Sequence, residues 1–258
     1  MNEPRRQVER GDRERPTPGR QTTGLPPAAS VLAVCAHPDD ESFGLGAALA
    51  AFGGAGAAVT VLSLTHGEAS TLGTGAADLG LVRGAELAAA GRVLGVRRVA
   101  LFDHPDGGLC DVPLEVLVRE INGVVEDVRP DLLLVFDQEG VTGHPDHRRA
   151  TEAAIATADV LDLPVLAWTI PQAVATQLNR EFKAAFVGRP GGEIDVEIAT
   201  DRTVQHKAIG CHESQSRDNP VLWRRLELAG DVEMFCWLRR GGPGAPSRRP
   251  GAGRAPAR

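Results

Sequence analysis

The sequence predicts an α/β fold, Rossmann-like, in which a mostly parallel sheet is flanked by helices. Apolar runs of strand length alternate with longer segments of helical pattern, and a β-α-β-α order selects parallel pairing with right-handed crossovers. The runs are apolar at nearly every position rather than at alternate ones, which marks strands buried on both faces. The chain has 258 residues with 42% hydrophobic content, enough to bury one sizeable core, so one domain is the simplest organisation.

In chain order, the strands are Val31–Ala36, Ala58–Leu64, Arg97–Phe102, Leu132–Phe136 and Val165–Trp168. Between them the pattern predicts helices over Ser42–Phe52, Leu81–Leu94, Pro113–Val128 and Asp146–Val160. The second of these carries Leu81, Ala85, Ala88 and Leu94 near helical spacing and stops at Gly95, a residue suited to a helix C-terminus. Segment 169–240 is less regular, with a strand at Glu193–Ile198, a helix from about Thr203 to Cys211 and a last strand at Val232–Leu238.

The ends differ from this core. Residues 1–29 hold arginines and prolines without an apolar run, so they form neither a secretory leader nor a transmembrane span, and Arg5-Arg6 makes no twin-arginine signal. Residues 241–258 are built from Gly, Pro, Ala, Ser and Arg, which cannot bury enough surface to offset their ordering entropy. Both tails are expected to be disordered, leaving 30–240 as the domain. The first 29 residues carry +2 and the last 18 carry +4, so of the total of −6 the segment 30–240 holds −12. That charge repels nucleic acid. Four scattered cysteines without a C-x-x-C pair suggest neither a disulfide framework nor a thiolate metal site, and a reducing cytoplasm fits them. Nothing in the pattern defines an interface for a homo-oligomer.

The chemistry gathers where strands end. The triplet His-Pro-Asp occurs at 37–39, 104–106 and 144–146, each time after a predicted strand or its trailing loop. Ligands of open parallel sheets bind outside the carboxyl ends of the strands. In Ala36-His-Pro-Asp-Asp-Glu41 the proline sets a turn into a helix, so His37 and Asp40 can face one point. Imidazole nitrogen and carboxylate oxygen suit zinc, and a catalytic site needs a third protein ligand while keeping a position for water. Gly143-His-Pro-Asp-His147 offers that ligand twice, as His144 or His147. The plainer alternatives are that Asp39 or Asp40 caps a helix and that the histidines lie on the surface near a helix end. Two clusters together favour the metal. Gly44-Leu-Gly46 is no dinucleotide fingerprint, because position 49 is leucine.

These motifs resemble the LmbE-like or PIG-L deacetylases. The likeness runs from about Val31 to Gln215 through Ala-His-Pro-Asp-Asp-Glu at 36–41, Thr65-His-Gly-Glu68, Arg83 with Glu86-Leu87, Pro105-Asp-Gly107, His144-Pro-Asp-His147, and Lys207 followed by His212-Glu-Ser-Gln215. The resemblance implies one zinc ion held by His37, Asp40 and His147, with Asp39 as general base, His144 stabilising or protonating the reacting centre, and Asp146 orienting His144. It further implies that Arg83 and Asp106 bind substrate, a small N-acyl amino sugar conjugate such as an N-acetylglucosaminyl compound. Iron(II) suits the same donors. Competing expectations are an amidase for mycothiol conjugates, a deacetylase of a glycosylated natural product, and a non-catalytic sugar- or metal-binding module. The sequence assigns no role to His66, His104 or His212.

Overall fold

The computed structural model describes residues 22–72 and 78–241. Most of both predicted tails lies outside the described residues. The described residues include 22–29, ahead of the expected boundary at 30. Thr22–Thr23 forms strand β1, and Leu25 and Ala28 pack on the core.

The strands that follow are β2 (Ser30–Cys35), β3 (Ala58–Thr65), β4 (Arg98–His104), β5 (Leu132–Phe136), β6 (Val165–Thr169), β7 (Val196–Ala199) and β8 (Val232–Arg239). They form one sheet in the order β1-β7-β8-β6-β5-β2-β3-β4, parallel throughout except that β8 runs antiparallel to both β6 and β7. Every residue of β5 and β6 is buried, as their unbroken apolar character requires.

The helices are α1 (Asp40–Phe43), α2 (Gly46–Gly54), α3 (Leu79–Leu94), α4 (Leu114–Val128), α5 (Pro145–Leu161), α6 (Gln172–Phe182), α7 (Thr203–Cys211), α8 (Glu213–Ser216) and α9 (Pro220–Ala229). One apolar cluster joins α2, α3 and α7 to the sheet through Leu49, Leu87 and Ala208; the other joins α4 and α5 through Leu117, Ile121 and Ala154.

The helix expected over Ser42–Phe52 divides into α1 and α2 at Gly44-Leu45, and the packing there requires glycine. A Cβ on Gly44 would lie 2.6 Å from the Phe136 ring and 3.0 Å from Trp168, so these two rings occupy the space that a side chain would take. Helices α6 and α9 were absent from the sequence reading. For α9 the signal was present: Pro220 stands at its first turn, and the Asn219 side chain accepts from the Leu222 amide.

The sheet changes direction between β2 and β5. From β2 the chain runs outward through β3 to β4, and β5 then pairs on the opposite side of β2. This is the switch point at which parallel sheets bind ligands.

Candidate metal centre

The turn after β2 carries His37, Asp39 and Asp40. The loop after β5 leads to His144, Asp146 and His147 at the start of α5. The β2–β5 pairing therefore brings together two motifs more than one hundred residues apart.

Three donor atoms converge. His37 Nδ1 lies 3.2 Å from His147 Nε2, His147 Nε2 lies 3.0 Å from Asp40 Oδ1, and Asp40 Oδ2 lies 3.8 Å from His37 Nδ1. All three residues are buried. Two ligands bound at about 2.0–2.1 Å to a tetrahedral zinc lie roughly 3.3–3.4 Å apart, so the spacing fits such an ion. The Nδ1 of His147 faces the Gly140 carbonyl at 3.1 Å and Thr142 Oγ1 at 2.9 Å, which places its proton there and leaves a lone pair on Nε2. Nε2 is thus the nitrogen turned toward the Asp40 carboxylate, at 3.0 Å, a contact that either a proton or a cation between the two satisfies.

The surroundings hold these donors in place. Asp40 Oδ2 accepts the amides of Ala36 and His37, both at 3.0 Å, which fixes the carboxylate beneath the turn. Burial opposes its charge, but His147 and His37 hold its pKa below the ordinary carboxylate range. On the far side of His37, Nε2 lies 3.0 Å from Asp106 Oδ1 and 3.5 Å from Asp146 Oδ2, off the line of a hydrogen bond to either. Burial works against a charge on His37, yet Asp106, Asp146 and Asp40 outweigh it and raise its pKa to about 10. His37, His144 and Asp146 also cluster. There, however, the Asp146 oxygens accept the Gly107 and Leu109 amides, and His144 Nδ1 accepts the amide of Asp146, so fewer donors are free.

Asp39 does not cap the helix with its side chain. Its backbone adopts φ 118°, a left-handed conformation uncommon outside glycine, and its carboxylate accepts from Arg83 at 2.9 Å. Burial raises its pKa to about 6, with Arg83 opposing the rise.

Arg83 and Asp106 line the same pocket but are heavily engaged by the chain itself. Arg83 is buried and donates to the carbonyls of Gly67 and Pro38 as well as to Asp39. A Cβ at Gly67 would collide with its guanidinium. Asp106 places one oxygen beside His37, and the other accepts the Ala69 amide at 2.9 Å. The bond that orients His144 comes from the backbone amide of Asp146 rather than from its carboxylate, which instead ties the 107–109 loop to α5. Burial, then the neighbouring His37 and His147, lower the His144 pKa.

His66 pairs with Asp103 and His104 with Glu120, and neither joins the donor set. His212 reaches Glu41 at 2.7 Å, with both side chains buried.

His37, Asp39, Asp40, His144 and His147 open into one pocket of about 560 Å³. Its lining includes apolar Phe136, Trp168, Phe186 and Leu222 and polar Ser70, Gln215 and Asn219. Of these lining residues only Gln215 falls in a motif quoted from the sequence, His212-Glu-Ser-Gln215; the others carry no motif that marks them.

The sequence profile described as "PIG-L: GlcNAc-PI de-N-acetylase" matches residues 32–158. Among curated proteins, the 1D-myo-inositol 2-acetamido-2-deoxy-alpha-D-glucopyranoside deacetylase of Saccharomonospora viridis is 30% identical over 231 residues, covering 74% of this chain and 86% of that protein. The chain belongs to the PIG-L family. The identically named protein of Nakamurella multipartita is 33% identical over 177 residues, which cover 57% of this chain and 59% of that protein. This PIG-L chain thus spans about three fifths of some relatives' length and most of others'. Among solved structures, the A40926 pseudoaglycone deacetylase Dbv21 superposes with a TM-score of 0.60 at 22% identity, covering 81% of this chain and 96% of that one. GalB, the 4-carboxy-2-hydroxymuconate hydratase of Pseudomonas putida KT2440, gives 0.64 at 18% identity over 83% and 98%. At such identities the likeness concerns the PIG-L fold alone. No helix among the described residues is long and apolar enough to cross a membrane.

Proposed function

We propose that this chain is a zinc-dependent N-deacetylase that hydrolyses the amide of an N-acyl amino sugar conjugate, such as an N-acetylglucosaminyl compound, in the cytoplasm. The observation that carries the reading is the placement of three buried donors, His37, Asp40 and His147, in one pocket with Asp39 and His144. The relatives named as deacetylases of an N-acetylated glucosaminyl inositol support the substrate class. Four free cysteines, two of them buried, suit a reducing compartment.

When bound, the divalent ion acidifies water and polarises a carbonyl. Asp39, with its pKa raised to about 6 by burial, is suited to accept the proton of the attacking water near neutral pH. Arg83 fixes the direction from which it does so. His144 accepts an amide proton at Nδ1, so it carries its own proton on Nε2, ready for the amide oxygen as that oxygen gains charge. The proton that Asp39 takes from water is the one available to the leaving nitrogen, without which the amine would not depart and the amide would re-form. Arg83 and Asp106 support the turn and His37, and sugar hydroxyls meet Ser70, Gln215 and Asn219.

The test is amine release from N-acetylglucosaminyl conjugates by zinc-loaded protein, beside chelated protein and Asp39→Ala. Metal-dependent turnover that collapses in the variant supports the reading. Stoichiometric zinc without release across N-acyl sugars and mycothiol conjugates refutes it in favour of a binding module.

A further inference from the structure

We propose that Glu41 and His212 form a buried clamp that holds the backbone of Asp39 in its left-handed conformation, making them positioning residues for the base. The inference rests on the reading of Asp39 given above.

A non-glycine residue at φ 118° persists only where its surroundings over-determine it. Three bonds do so here. The Asp39 carbonyl accepts the amides of Ser42 and Phe43 at 3.0 and 2.7 Å, and its own amide donates to Glu41 Oε2 at 2.9 Å. The first two belong to the short helix α1, whereas the third depends on where a carboxylate two residues onward is held. Glu41 Oε1 accepts from Ser42 Oγ at 2.5 Å and from His212 Nε2 at 2.7 Å. Both Glu41 and His212 are fully buried, so water offers neither a substitute partner.

His212 stands at the junction of α7 and α8, and that junction is itself anchored. Ser214 donates through its amide and its hydroxyl to Glu86 at 2.8 and 2.7 Å, and Glu86 lies on α3, the helix that carries Arg83. Asp39 is therefore held twice from one scaffold. Arg83 grips its carboxylate, and His212, through Glu41, grips its amide. The Nδ1 of His212 has no partner among the described residues, and neither side chain belongs to the donor set, so metal binding does not account for their burial. The motif pieces at 41 and 212–215 are 171 residues apart, and this contact unites them.

The experiment uses the full zinc-loaded chain with Glu41→Ala, Glu41→Gln and His212→Ala, each alone and in the Asp39→Ala background. A base displaced by about 1 Å loses on the order of 10- to 100-fold in rate, so Glu41→Ala should lower kcat by that factor. KM and zinc content should stay within about twofold, because ground-state binding is untouched. Glu41→Gln keeps an oxygen for the Asp39 amide and should recover most of the loss. With Asp39 already replaced by alanine, Glu41→Ala should cost nothing further. An equal loss in both backgrounds, or a change in KM alone, overturns the proposal. Should Glu41→Ala fail to fold, His212→Ala and Glu41→Gln decide by the same comparison. A crystal structure of Glu41→Ala supplies a readout free of turnover. Asp39 leaving the positive-φ region supports the clamp, and Asp39 unmoved refutes it, even if no N-acyl sugar proves to be a substrate.

Discussion

Replacing Gly44 with alanine should damage stability and the metal centre together. The new Cβ would stand 2.6 Å from the Phe136 ring and 3.0 Å from Trp168. Carbon atoms pack at about 3.5 Å or more, so the Phe136 ring must retreat by nearly 1 Å. It has little room. The ring lies 4.7 Å from His147 and 4.9 Å from Trp168, centroid to centroid. Trp168 cannot yield easily, since its Nε1 donates to buried Glu233 at 2.6 Å and the Arg225 guanidinium covers its face at 5.0 Å. Overpacking of this kind costs about 1–3 kcal/mol. A domain of this size loses roughly 2–4 °C per kcal/mol, so Gly44→Ala should lower Tm by about 2–12 °C. Because Phe136 abuts a metal ligand and forms the pocket wall, kcat/KM should also fall by about 10-fold or more. Thermal melting of the metal-free chain, zinc titration and steady-state kinetics measure these effects. A variant with unchanged Tm and unchanged kcat/KM would refute the packing argument.

Chelation should lower Tm in a zinc-dependent way, because an ion that binds only the folded chain stabilises it by about 2.7 kcal/mol at one hundred times its Kd; His147→Ala should abolish that difference, as measured by melting with and without zinc. Arg83→Met should retain its zinc while losing kcat by about 100-fold, since it removes the partner of Asp39 together with the bonds to the Pro38 and Gly67 carbonyls. A rise in KM at constant kcat would instead return Arg83 to direct substrate contact.

The cluster proposed as metal donors was legible because His37 and Asp40 sit three residues apart at a strand end, a spacing that has chemical meaning without a partner. The third was narrowed to His144 or His147, and the choice depended on which nitrogen faces inward. That was set by the Gly140 carbonyl and Thr142, which no pattern encodes. Strands β2 to β6 were readable because continuous apolar runs have few alternatives. The division of the Ser42–Phe52 helix was not, since the rings of Phe136 and Trp168 that close on Gly44 come from β5 and β6, far along the chain. Arg83 shows the same limit. Its position at the start of a helix suits solvent or substrate equally, and only the fold brings it against Pro38 and Asp39.

The division between legible and hidden residues follows the division of labour in the site. All three proposed metal donors, Asp39 and His144 fall within 32–158, the span matched by the family profile. Part of the pocket lining, such as Ser70 and Phe136, lies within that span as well, whereas Trp168, Phe186, Gln215, Asn219, Leu222 and Arg225 fall outside it. The first set is constrained by bond lengths and proton positions that tolerate little change. The second set must only offer a surface, and many residues can do that. The fold shared with both a deacetylase and a hydratase agrees, for it supplies the switch point without dictating what lines it. Substitutions in 32–158 should therefore change whether hydrolysis occurs, and substitutions at Phe186 or Leu222 should change which conjugate is hydrolysed.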